Sequence, residues 1–199
     1  MDGYNQIFIL SIVLLLFSMY QEYNNPITEK IPTMEDFFYI YCMRWIHYCV
    51  YLFTSFYLFL FNGIGRESDR FFYLLFIYLI ITGWYLFDYC IYTYSELLFY
   101  DMDLTKTKTT FHPAFYYLYG EYAEKIMVVS GILYLITVSV LLYASYSVPF
   151  SVKMIMYLLF LYLFFASIQK SRNTVKYYSY DPPLQSNTEL PVKDSGITP

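Results

Sequence analysis

Arg44, His47 and Asp88 are ionisable side chains set inside runs that are otherwise apolar. An Arg or Asp at the middle of a bilayer costs on the order of 2.5 to 3.5 kcal/mol on insertion scales, and less near the interface. Such residues need a partner, a water-filled gap or a reach to the headgroups. At about 100° per residue, Tyr41, Arg44, His47, Tyr48, Tyr51, Thr54, Ser55 and Asn62 share one side of a helix. Cys42, Trp45, Cys49, Phe53, Phe56 and Leu60 take the reverse side. A helix ringed by lipid gains nothing from that sorting, so the polar side is expected to face other helices.

The partner expected for Arg44 is Asp88, with His47, Tyr48 and Tyr92 completing the hydrogen bonds. Asp88, Tyr85 and Tyr92 cluster on one side of their run, with Tyr78 and Glu96 at the margin. At about 1.5 Å rise per residue, Arg44 lies roughly 11 Å into its span and Asp88 roughly 6 Å from the end of its own, in the same leaflet. The alternative is that each charge snorkels separately to nearby headgroups.

Other chemistry finds little to build on. Cys42 and Cys49 share the face opposite Arg44, and Cys90 lies roughly opposite Asp88, so joining the charged faces is expected to point the cysteines apart. No metal ligand set and no cofactor site is therefore expected. Only two histidines, His47 and His112, are present. Neither the G-x-S-x-G elbow, the phosphate and dinucleotide glycine loops nor a TVGYG filter occurs. No catalytic residue is assigned, and the chain is not expected to be an enzyme by itself. A transporter or channel built on Arg44, His47 and Asp88 is the second reading, and a structural membrane protein of a large AT-rich virus a third.

The elements that must position these residues are membrane helices. Of 199 residues, 58% are hydrophobic, 24% aromatic and only 14% charged, against about 25% charged in soluble domains. Apolar runs of roughly 17 to 25 residues match a hydrocarbon core about 30 Å thick. The fold class expected is an all-α membrane bundle of about five spans, near 6–20, 37–62, 71–92, 126–146 and 150–168, or four if the first lies in the interface. Thr33 with Asp36 approximates a capping box that starts the second helix near Met34. The tight join "SYSVPF" makes the last two spans an antiparallel hairpin.

Between the third and fourth spans, the aromatic segment around Phe99 to Tyr119 is expected to lie on the membrane surface, with a short helix starting at Pro113. Residues 169–199 form a polar tail that is disordered unless a partner binds it. Span four carries Ser130, Tyr134, Thr137 and Ser145 with Gly131 nearby, a packing stripe for close helix contact. The net charge is -4 with no basic patch, so nucleic acid is not an expected partner. The expected partners are the lipid bilayer and other membrane subunits. Counting Lys and Arg beside the spans places the C-terminus on the inner side.

One stretch carries a resemblance. "LLYASYSVPF", with Leu142, Tyr143, Tyr146, Pro149 and Phe150 ahead of the last span, resembles the approach to the final helix in the five-span, organelle-encoded small membrane subunit of respiratory complex I. The Phe- and Tyr-rich composition is also similar to divergent membrane subunits encoded in protist, especially ciliate, mitochondrial genomes. The family has a glycine within small residues in its third span, whereas here Gly83 stands beside Trp84 and none lies between Phe71 and Thr82. The resemblance implies a non-catalytic subunit of a respiratory-chain complex in the mitochondrial inner membrane, where the Lys and Arg count puts the C-terminus in the matrix. It transfers no catalytic residue.

Overall fold

A computed structural model describes residues 2–26, 33–87, 90–100 and 112–175, with side chains to residue 169. The fold is an all-α bundle. Its helices are α1 (Gly3–Asn24), α2 (Met34–Leu60), α3 (Glu67–Phe87), α4 (Ile91–Phe99), α5 (Pro113–Tyr119), α6 (Ala123–Ala144) and α7 (Phe150–Val175), with a 3-10 turn at Gly120–Tyr122 linking α5 to α6. No strand occurs among the described residues. Four stretches are long and apolar enough to cross a membrane: Gly3–Asn24, Glu67–Phe87, Pro113–Ala144 and Phe150–Gln169. That pattern is compatible with a multi-pass integral membrane protein. The 27-residue α2 is not among the four, because it carries the bundle's polar side chains.

Local chemistry sets most helix ends. The Asp2 carboxylate accepts from the Asn5 amide at 2.9 Å and caps α1. Thr33 and Asp36 form the expected capping box, each side chain accepting from the other's amide at 3.2 Å, and α2 starts at Met34. Such a box satisfies two of the amides that a helix start leaves unpaired. Helix α1 runs past the expected Tyr20 to Asn24. Nothing between breaks it until Pro26, which pushes the residue before it out of the helical region. Helix α7 likewise continues beyond residue 168 to Val175, so the expected tail begins in helix; residues 176–199 lie outside the described residues.

Two differences from the expected spans matter for the site. The third span does not continue to Tyr92: α3 stops at Phe87, Cys90 is extended (φ -65, ψ 126), and a separate α4 begins at Ile91. The break re-aims the chain so that Thr93, Glu96, Leu97 and Tyr100, one face at helical spacing, are buried, with α4 against α2. The expected short helix does begin at Pro113, and it packs into the bundle. Pro113, Ala114, Phe115 and Tyr117 are buried, because α5 inserts among α1, α2, α4 and α6 and fills the corner with apolar and aromatic area.

The core runs along α2. Tyr57, Tyr73, Ile77, Ile81, Val138, Leu141 and Phe160 are buried within one cluster. Gly3 lets α1 abut the end of α2, since a Cβ there would sit 2.8 Å from the Leu60 carbonyl oxygen. Inside α2 the helix kinks at Phe56 (φ -117, ψ 16). Two contacts account for it: Thr54 Oγ1 donates back to the Val50 carbonyl at 2.8 Å, and the Tyr73 hydroxyl donates to the Thr54 carbonyl at 2.8 Å. Back-bonding threonines and groups inserted into the backbone ladder both bend helices. Helices α6 and α7 are joined by the short turn as expected, and Gly131 admits the Phe164 ring, whose Cζ would lie 3.0 Å from a Cβ.

Candidate functional site

The polar side of α2 is buried. Arg44 and Tyr48 are 0% exposed and His47 is 6% exposed. At about 1.5 Å per residue, Arg44 stands roughly 15 Å along α2 from Met34. Each of its three guanidinium nitrogens donates a hydrogen bond. Nε donates to Glu96 Oε1 at 2.7 Å, NH1 to Glu22 Oε2 at 2.6 Å, and NH2 to both Glu96 Oε1 and the Tyr100 hydroxyl, the latter at 2.6 Å. The guanidinium also lies over the Tyr117 ring at 4.8 Å and the Tyr41 ring at 5.2 Å, an arrangement that suits its weakly hydrated, planar charge.

The two carboxylates are held differently. Glu22 Oε2 accepts from Arg44 and from the Tyr41 hydroxyl at 3.0 Å, and Oε1 accepts from the Tyr100 hydroxyl. Glu96 uses Oε1 alone, and its Oε2 is buried without a hydrogen-bond partner. The network thus ties α1, α2 and α4 through one cation. Ordering three segments this way needs the pairing to be complete, because an uncompensated buried charge is far costlier than an exposed one.

Beside this cluster lies a second polar layer. His47 Nε2 is 3.7 Å from the Cys90 sulfur, and His47 Nδ1 is buried without a partner. The His47 ring centroid is 5.7 Å from Tyr92, 6.3 Å from His112 and 5.3 Å from Phe115. His112, at the head of α5, meets the Thr93 hydroxyl at 2.6 Å through Nδ1. Burial pulls its imidazole down to about 3, so it is neutral. The Tyr48 hydroxyl donates to the Ala114 carbonyl at 2.8 Å and anchors α5 on α2.

Of the five residues expected to form the network, Arg44, His47 and Tyr48 are buried on one face of α2 and the Tyr92 ring is tilted 5.7 Å from His47, but the Arg44 donors go to Glu22, Glu96 and Tyr100, while Tyr48 bonds Ala114 and His47 meets Cys90. Asp88 lies outside the described residues. The carboxylates on Arg44 are Glu22, which lies beyond the end expected for the first span, and Glu96, expected at the margin of its cluster. The signal for Glu22 was the absence of any helix breaker before Pro26; the signal for Glu96 was its place in the 93, 96, 97, 100 spacing. Cys90 does not point away from the charged faces as expected. It sits against His47, because the chain break before α4 turns it inward.

The residues of the short motif lie where α6 passes into α7. Leu142 is buried, while Tyr143, Tyr146 and Phe150 are exposed by 80%, 87% and 77%. The Tyr143 carbonyl accepts from Lys153 Nζ at 3.2 Å. Among the described residues no group of three His, Cys, Asp or Glu is placed to hold a metal ion.

No known protein family, curated protein or solved structure matches this chain. Geometry alone therefore says what the site can do. It offers a salt-bridged clamp with one bare carboxylate oxygen and one bare imidazole nitrogen, both buried.

Proposed function

We propose that this chain is a non-catalytic, multi-pass membrane subunit that contributes helices to a larger assembly. The observation that carries this reading is how the bundle divides its surfaces. Arg44, Glu22 and Glu96 turn inward and are tied together across α1, α2 and α4, and only 17% to 33% of the residues in the stretches that could cross a membrane are buried. A clamp of this kind fixes the arrangement of helices without offering an open cleft for a substrate. The resemblance of Leu142, Tyr143, Tyr146, Pro149 and Phe150, together with the Phe- and Tyr-rich composition, supports a respiratory-chain complex of the mitochondrial inner membrane as that assembly.

The test is mild detergent extraction of the native membranes, followed by native electrophoresis and mass spectrometry of the band that holds this chain. Co-migration with respiratory subunits in a band far heavier than 24.0 kDa is expected. Migration alone, with no respiratory subunit beside it, overturns the proposal.

A second reading, a small transporter, has one observation in its favour. The extended backbone at Cys90, ahead of α4, stands beside buried ionisable groups, and interrupted helices beside such groups are how many transporters build their sites. Solute or ion flux into liposomes holding only this protein, abolished by Asp88→Asn, would favour it over the subunit reading.

A further inference from the structure

We propose that Glu96 is a buried proton-binding site: at neutral pH its carboxyl carries a proton on Oε2, while Glu22 carries the negative charge that balances Arg44. The inference does not depend on which assembly the chain joins.

Charge and hydrogen-bond counts lead to it. Among the described residues, Arg44 is the one cation bridged to either carboxylate. Two ionised carboxylates on one guanidinium would leave a net negative charge in a cluster where Arg44 is 0% and Glu96 1% exposed. A carboxylate in that position neutralises by taking up a proton. The donors decide which one does so. Glu22 receives three, from Arg44, Tyr41 and Tyr100, spread over both oxygens, and its side chain is 14% exposed. That is the environment of an ionised carboxylate. Glu96 receives donors on Oε1 only, and Oε2 has none. A bare buried carboxylate oxygen is costly as an anion and far less so as a hydroxyl.

A second observation points the same way. His47 Nδ1 is also buried and unpartnered. Nε2 is taken up by the Cys90 sulfur, so the polar layer beside Glu96 holds a second bare group that can exchange a proton. Among the described residues, His47 of α2 is the one further group facing the cluster that could carry a positive charge, and as an imidazolium it would bury an Nδ1–H with no acceptor. The rest are the phenols of Tyr41 and Tyr48 from α2, Thr93 and Tyr100 from α4, Cys90 just before it, and Tyr117 and the neutral His112 from α5. Glu96 itself lies on α4, outside the four long apolar stretches. Burial pushes its carboxyl above the ordinary carboxylate range even though Arg44 pulls the other way.

The proton comes from water and returns to it. On binding, an O–H bond forms at Oε2 and the cluster becomes neutral; on release, Glu96 becomes the second carboxylate and the cluster gains one negative charge.

The experiment is infrared spectroscopy of the full chain in lipid nanodiscs at neutral pH, comparing the parent with Glu96→Gln and Glu22→Gln. The spectrum of the parent minus Glu96→Gln is expected to show the carbonyl stretch of a protonated carboxylic acid, shifted in heavy water. In Glu22→Gln the charge that balances Arg44 is gone, so Glu96 should ionise in its place and the acid band should disappear from that variant too. Thermal unfolding gives an independent readout: Glu96→Gln, a neutral group for a neutral group, should leave the Tm unchanged, whereas Glu22→Gln should lower it. A parent-minus-Glu96→Gln spectrum without the acid band overturns the proposal. So does failure of Glu96→Gln to fold, or a larger Tm loss for it than for Glu22→Gln.

Discussion

Arg44 on α2 and Glu96 on α4 are 52 residues apart in sequence, yet Nε donates to Oε1 at 2.7 Å in a place that is closed to the surroundings. The contact holds a short helix, α4, against the polar side of a long one. Glu22 extends it to α1, so one guanidinium fixes the relative rotation of three helices.

Arg44→Met should therefore destabilise the bundle strongly. It leaves the half-buried Glu22 without its cation and the buried Glu96 without its donors, a loss of about 3 to 5 kcal/mol. Thermal unfolding in a defined detergent would register it as a large drop in Tm. A variant as stable as the parent would mean that the cation contributes nothing net to the fold.

Charge reversal separates the acids. Arg44→Glu and Glu96→Arg should each impair folding, and the double variant should recover part of the loss, because the pair is in direct contact. The pair Arg44→Asp with Asp88→Arg should not recover, since Glu22, Glu96 and Tyr100 take the guanidinium nitrogens. Yield of monodisperse protein after size exclusion is the measurement; recovery in the Asp88 pair alone would assign Arg44 to Asp88 instead.

Tyr73→Phe should cost about 1 to 3 kcal/mol. The hydroxyl is buried and is bonded to the Thr54 carbonyl at 2.8 Å, and its loss strips a buried acceptor at the kink of α2 of that donor. Unfolding in denaturant gives the figure, and a value near zero would show that the carbonyl finds another donor.

Gly3→Val should destabilise by about 1 to 3 kcal/mol through overpacking. The obstacle is the Leu60 carbonyl, 2.8 Å from the new Cβ, and backbone yields less readily than a flexible side chain. A Tm equal to that of the parent would show that the start of α1 moves aside freely.

The cysteines should label in order of exposure. Cys42 and Cys49 are half-buried and Cys90 is buried against His47. A membrane-permeant maleimide followed by mass spectrometry should modify Cys90 only after denaturation. Labelling of Cys90 in the native state at the rate of the other two would show that the turn before α4 opens readily.

Much of the bundle was legible residue by residue. The length and composition of the apolar runs, the Thr33–Asp36 box, the start at Pro113 and the hairpin around Pro149 are local signals, because they rest on backbone donors, ring geometry and turn length within a few residues. So was the sorting of α2 into a polar and an apolar side, since helical periodicity decides it. The partner of Arg44 was not legible in this way. Asp88 and Glu96 are eight residues apart on one apolar run, and nothing local says that the backbone is extended at Cys90 and a new helix starts at Ile91.

The sequence by itself determined that the chain forms long helices and that one of them must hide Arg44, because desolvating a charge is costly wherever it occurs. Only the tertiary structure decided that Glu22 and Glu96 share that charge, that α5 is inside the bundle, and that Cys90 faces His47. Those outcomes depend on how the helices rotate and slide against one another, and that register is set by the packing of all the faces together.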